Sequence, residues 1–131
     1  MSTNSFSQSF KIGNATLSRN SKSMIIAEIG INHEGSASKC LKMINIAHQS
    51  NADIIKLQVI DPDSSYEKGT LSYKLFNNSK LSKEEIFNIY NICKNKKINI
   101  FSTFDKKNFE FFKKLNQVCY KISSSLFYDF Y

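Results

Sequence analysis

A chain of 131 residues with 41% hydrophobic residues, among them eleven Phe and six Tyr, is the size of one domain and can bury a core. One Pro and four Gly exclude a collagen-like or low-complexity chain, and no run of about 18 apolar residues is present to cross a membrane. The net charge of +7 is almost all lysine, with Arg19 the single arginine. It is spread along the chain without a recognition motif, so no nucleic-acid partner is expected.

The start, "MSTNSFSQSF", lacks a basic segment followed by an apolar one and does not read as a secretory signal. Cys40, Cys93 and Cys119 are scattered, with no CxxC pair, which fits reduced thiols in a cytoplasmic protein. In chain order, residues 9–18 ("SFKIGNATLS") alternate around Gly13-Asn14, a two-residue hairpin signal. A polar linker, "SRNSKS", follows. Residues 1–22 are therefore set apart as hairpin and linker, and 23–131 as an α/β domain.

Residues 24–29 ("MIIAEI") predict the first strand of that domain. A helix is expected from Ser36 or Ser38, with Cys40, Met43, Ile44 and Ala47 on its apolar face and Asn51 suited to a left-handed end. Residues 53–59 ("DIIKLQV") predict strand two. The polar stretch 61–80 holds the only proline, Pro62, and its Tyr66, Tyr73 and Phe76 suggest packing over a neighbour. "SKEE" (82–85) is a capping box for a helix that buries Ile86, Ile89, Tyr90 and Cys93 and closes near Asn95. Residues 98–103 ("INIFST") predict strand three, Asp105 caps a helix with Phe109, Phe112 and Leu115 on one face, and 118–122 ("VCYKI") predict strand four.

Four strands alternating with helices imply right-handed crossovers and a parallel sheet. An open doubly wound sheet and half of a (β/α)8 barrel both satisfy this pattern. In every strand the intrusive polar residue lies toward the C-terminal end: Glu28, then Lys56 and Gln58, then Ser102 and Thr103, then Lys121 before Ser123 and Ser124. Alternation puts Lys56 and Gln58 on the face opposite Ile55, Leu57 and Val59. Ligands of parallel α/β folds bind at these strand ends, and two lysines with hydroxyls suit a carboxylate or phosphate. Each residue also has a structural reading. Lys56 can pair with Glu28, Lys121 can extend to solvent, Thr103 can cap a turn, His33 can hydrogen-bond its own loop, and His48 can simply be exposed.

Together, "IIAEIGINHEGS", "ADIIKLQ", "INIFSTFD" and "YKISS", in this order and behind the hairpin "FKIGNATLS", resemble the N-terminal half of the sialic acid synthase family. That family includes N-acetylneuraminate, legionaminate and pseudaminate synthases. The resemblance implies a TIM barrel that condenses phosphoenolpyruvate with the open aldehyde of an N-acyl hexosamine, using a divalent metal (Mn²⁺ or Mg²⁺). By motif position it assigns Lys56, Thr103, Lys121 and Ser124 to phosphoenolpyruvate, and Glu28 and Gln58 to catalysis beside the sugar. It assigns no metal ligand to this chain. A homodimer is implied for the full-length family.

The sequence departs from the family at "STFD", where a proline is usual after the threonine, and at Ser125 and Leu126, where glycine and glutamate are usual. A complete barrel needs about 250 residues. The expectation is thus a truncated synthase domain without turnover of its own. The alternative is a non-catalytic half-barrel module that assembles with a separate partner chain.

Overall fold

The computed structural model describes residues 8–13, 15–124 and 127. An antiparallel hairpin, β1 (Ser9–Ile12) and β2 (Ala15–Ser18), precedes a three-stranded parallel sheet of β3 (Ile26–Gly30), β4 (Ile54–Val59) and β5 (Ile100–Phe104), in that spatial order. The hairpin pairs Ser9 with Ser18 through to Ile12 with Ala15, as the Gly13-Asn14 signal predicts, and Gly13 has φ +56°. A Cβ on Gly13 would lie 3.0 Å from Asn99 Oδ1 and 3.3 Å from Val118 Cγ1. The turn therefore seats against residues that precede β5 and the 118–122 segment, at the end opposite the polar strand ends.

α1 (Ala37–Gln49) starts at Ser36, whose hydroxyl accepts the N–H of Lys39. It is followed by Asn51 at φ +63°. α4 (Lys83–Asn95) carries the full capping box, with Ser82 and Glu85 each bonding the other's backbone N–H. The left-handed residue after α4 is Lys97, at φ +58°, rather than Asn95, which is still helical.

The polar connection 61–80 contains two short helices, α2 (Pro62–Ser65) and α3 (Leu71–Asn78). Pro62 opens the first, Thr70 caps the second, and Tyr66 stacks on Phe76 at 5.0 Å. Asp105 caps a 3-10 turn (Lys106–Asn108), which leads into α5 (Phe109–Lys114).

One face of the sheet meets the helices. Ile55, Leu57, Ile100 and Phe104 pack with Cys40 and Ile44 of α1, Ile86, Ile89, Tyr90 and Cys93 of α4, and Phe112 of α5. Burial raises the thiol pKa of Cys40 to about 12 and of Cys93 to about 11, so both serve as packing.

The fourth strand is reduced to one parallel bridge, Thr103 with Lys121. The cause lies in Gln117. Its Oε1 accepts the N–H of Ser102 at 2.9 Å and the hydroxyl of Tyr90 at 2.9 Å, both in the interior. A side chain thus takes the β5 edge donor that a neighbouring strand would otherwise take. The result is a partial (β/α) barrel of three paired strands and a bridge. No helix among the described residues is long and apolar enough to cross a membrane.

Candidate functional site

Register partners in a sheet direct their side chains to the same face. Glu28 pairs with Lys56, Gln58 with Thr103, and Thr103 with Lys121, while Lys56 and Gln58 lie two residues apart on β4. All five residues therefore share the face that turns away from the helices. The alternation proposed for β4 is the observed one.

Lys56 Nζ forms an ion pair with Glu28 Oε2. The lysine side chain is 15% exposed and the glutamate 47% exposed. The salt bridge and the shared site are both present: the pair sits inside the polar rim. The register slips between Glu28 and Gly30, where φ is +59°. A Cβ at Gly30 would fall 3.3 Å from Gln58 Oε1 and 3.6 Å from Glu28 Oε1. The bulge thus keeps the backbone low beneath two converging side chains. Gly30 belongs to the site although sequence reasoning did not single it out; a glycine two residues after the strand carboxylate Glu28 was its visible signal.

Thr103 is 4% exposed, and its Oγ1 is buried without a hydrogen-bond partner among the described residues. It is not a cap; Asp105 performs that role, accepting the N–H of Asn108 at 2.9 Å. An unpaired buried hydroxyl costs about 1–3 kcal/mol, which an incoming acceptor or donor would recover. Lys121 behaves differently. Its Nζ donates to its neighbour Ile122's carbonyl at 2.8 Å, and the residue is exposed. Ser124 is exposed as well, its carbonyl accepting the N–H of Phe127. The structure therefore gathers Glu28, Lys56, Gln58 and Thr103, while Lys121 shares their face with its ammonium turned to its own backbone. Ser125 and Leu126 lie outside the described residues.

Two acidic residues that sequence reasoning did not single out as part of the site's frame hold the loops of this rim together. Asp105 Oδ2 accepts the N–H of Asp61, tying the turn after β4 to the turn after β5. Lys107 donates to Asp61 at 2.6 Å and Lys80 lies 3.6 Å from it. The Lys107 hydrogen bond holds the Asp61 carboxyl below the usual carboxylate range. Among the described residues no group of three or more His, Cys, Asp or Glu side chains is placed to hold a metal ion.

Beside this rim, and sharing Gln58 with it, a cavity of about 230 Å³ opens between the loop after β3 and the 61–80 segment. His33 lines it at 1% exposure, and its Nδ1 accepts the N–H of Gly35 at 3.2 Å. His33 is thus the loop hydrogen-bonder that its position suggested. His48 is exposed on α1.

Comparison with known proteins converges with this geometry. Residues 43–130 match the model of the NeuB family. Pseudaminic acid synthase of Campylobacter jejuni is 34% identical over 130 residues, covering 87% of this chain and 37% of its own length. The spore coat polysaccharide biosynthesis protein SpsE of Bacillus subtilis is 28% identical over 127 residues, covering 88% of this chain and 34% of its own. The crystal structure of N-acetylneuraminic acid (sialic acid) synthetase from Leptospira borgpetersenii superposes with a TM-score of 0.82 at 28% identity, over 91% of this chain and 42% of that one. The chain spans little more than a third of the length of the curated relatives it matches, and what it shares with them is an N-terminal portion of the synthase barrel. It belongs to the NeuB family.

Proposed function

We propose that this chain carries the phosphoenolpyruvate-binding part of a nonulosonic acid synthase, which joins C3 of phosphoenolpyruvate to the aldehyde carbon of an N-acyl hexosamine. In that reaction water adds at C2 and inorganic phosphate leaves with C–O cleavage. The observation that carries the reading is one face at the C-terminal strand ends holding Lys56, Gln58 and Thr103, with the Thr103 hydroxyl buried and unpaired. Lys56 Nζ and Thr103 Oγ1 would bind the carboxylate or phosphate oxygens, with Lys121 and Ser124 joining once their side chains turn inward.

Glu28, released from Lys56 as the anion takes its place, would orient the sugar, with Gln58 beside the reacting carbon. A divalent metal would supply polarisation of the aldehyde oxygen. The described residues do not form its ligand set. Cytoplasmic biosynthesis and a homodimeric full-length protein belong to the same reading.

Titration calorimetry tests it. Phosphoenolpyruvate should bind the 131-residue chain saturably, and Lys56→Met and Thr103→Val should each weaken binding by about tenfold, the equivalent of one charge-assisted hydrogen bond. Phosphate release in the presence of Mn²⁺ and N-acetylmannosamine should stay at the blank rate. Binding that is unchanged in Lys56→Met would refute the assignment.

A second reading, a non-catalytic module completed by another chain, is favoured by the outer edge of β3, which no strand among the described residues pairs in the order β3-β4-β5.

A further inference from the structure

Ser102 and Thr103 are neighbours on β5 and serve opposite faces. Ser102 is fully buried against the helices, its hydroxyl 3.2 Å from the Leu57 carbonyl, while Thr103 faces the rim. Gln117 fixes the backbone at this step. A backbone N–H can only donate, so the Ser102 bond turns the Gln117 oxygen, not its nitrogen, toward β5. The Tyr90 hydroxyl donates to the same oxygen from α4. Burial holds that phenol well above its usual pKa, so it stays a donor. Gln117 Nε2 is buried with no partner among the described residues. The amide therefore works through its oxygen alone, as a clamp between α4 and β5.

The clamp also begins the segment that carries Lys121. Beyond Gln117 the chain meets β5 again at the Thr103–Lys121 bridge, and the Tyr120 ring lies 6.0 Å from Phe104 and 6.3 Å from Phe109. Of the two side-chain holds Gln117 is the deep one, 8% exposed against 47% for Tyr120. Lys121 is exposed, so its ammonium can swing from the Ile122 carbonyl toward the rim, but the clamp and the bridge set where that swing starts. We propose that Gln117 is a positioning residue of the anion site: through Ser102 and Tyr90 it fixes the start of the 118–122 segment, and so the place from which Lys121 reaches an anion at the rim. The inference deepens the phosphoenolpyruvate reading and rests on it for the ligand; the clamp itself does not.

A double-mutant cycle on the intact chain, read by titration calorimetry with phosphoenolpyruvate, tests it. Gln117→Met, which keeps the length and removes the acceptor, should weaken binding by about fivefold. The same change in a Lys121→Met background should cost less than about twofold, and in a Lys56→Met background about fivefold again. Gln117→Glu, which keeps an oxygen for both donors, should bind within about twofold of wild type. Exchange of the Ser102 amide hydrogen should quicken in Gln117→Met and stay slow in Gln117→Glu. Thermal melts establish that each variant is folded at the binding temperature; if Gln117→Met is not, Tyr90→Phe replaces it in the cycle, with a loss of about threefold expected. A loss of the same size with and without Lys121 would make Gln117 a packing residue and overturn the inference. So would unchanged binding in Gln117→Met, and if Lys56→Met still weakens binding in that event the synthase reading stands. A wild-type chain that binds no phosphoenolpyruvate would remove that reading and this inference together.

Discussion

Of the two charges in the Glu28–Lys56 pair, the ammonium is the more deeply placed, with 15% of its side chain exposed against 47% for the carboxylate. The two single substitutions should therefore not be equivalent. Glu28→Gln leaves a mostly covered lysine without its counter-ion and should cost about 1–3 kcal/mol. Lys56→Met leaves a carboxylate that water can reach and should cost less than about 1 kcal/mol. Urea midpoints at constant m-value measure both, and equal losses would show that the pair is solvated as a unit.

His33 makes a second prediction at this scale. Its neighbours act in opposite directions, Lys39 of α1 lowering and Glu85 of α4 raising its pKa, but burial is the largest influence and the net shift is downward. The unfolded chain therefore takes up a proton near the usual value of 6.5, before the folded chain does. The stability His33 contributes is complete above that value and is lost as pH falls below it. The melting temperature should decline from pH 7 to pH 5, and His33→Gln should flatten that decline. An identical pH profile in the variant would assign the titration elsewhere.

At the level of elements, the turns joining strands to helices determine the rim's shape, and Gly35 is the tightest joint. It sits at φ +75°, and a Cβ there would approach the Asn78 carbonyl oxygen to 2.8 Å. The loop after β3 is thereby pressed against the end of α3, which closes one side of the cavity. Gly35→Ala combines backbone strain with a clash against backbone and should cost about 2–4 kcal/mol. Gly69→Ala is the control, since φ is +92° but nothing lies within 4 Å, and it should cost only the strain, about 1–2 kcal/mol. Equal unfolding midpoints for the two would mean that the loop relaxes away from Asn78.

The elements themselves were readable where a local rule decides: Ser36, the Ser82–Glu85 box, Asn51, and the alternation that separates Lys56 and Gln58 from Ile55 and Leu57. What the sequence concealed depends on distant partners. Gln117 gives no local sign that it will take the Ser102 N–H and so limit the fourth strand to one bridge. Nor does Asp61 signal that it will be held by Asp105, Lys107 and Lys80 from other elements. Of the site, Glu28, Lys56, Gln58 and Thr103 converge as strand periodicity requires. Lys121 and Ser124 were placed by their position at the end of the predicted fourth strand as well as by motif, and in the structure Lys121 turns its ammonium to its own backbone and Ser124 is exposed.

The whole molecule carries an unresolved tension between its apolar margins and its charge. Among the described residues β3 is paired on one side only, and Ile25 and Ile26 beside that edge are 62% and 46% exposed. At the opposite margin Tyr120 and Ile122 are 47% and 59% exposed. Open edges flanked by apolar side chains favour addition of another strand, whether from a second copy or from another chain. The net charge of +7 opposes association of identical copies. Because salt screens that repulsion over about 8–10 Å near physiological strength and leaves apolar burial intact, self-association should strengthen as salt is added. Sedimentation velocity should show a weight-average mass that rises with both protein and salt concentration. Ile26→Lys, which puts a charge at the β3 edge, should return the chain to monomer without shifting its melting temperature downward by more than a few degrees. A wild-type chain that stays monomeric at high concentration and high salt would show that these margins are satisfied within the single molecule.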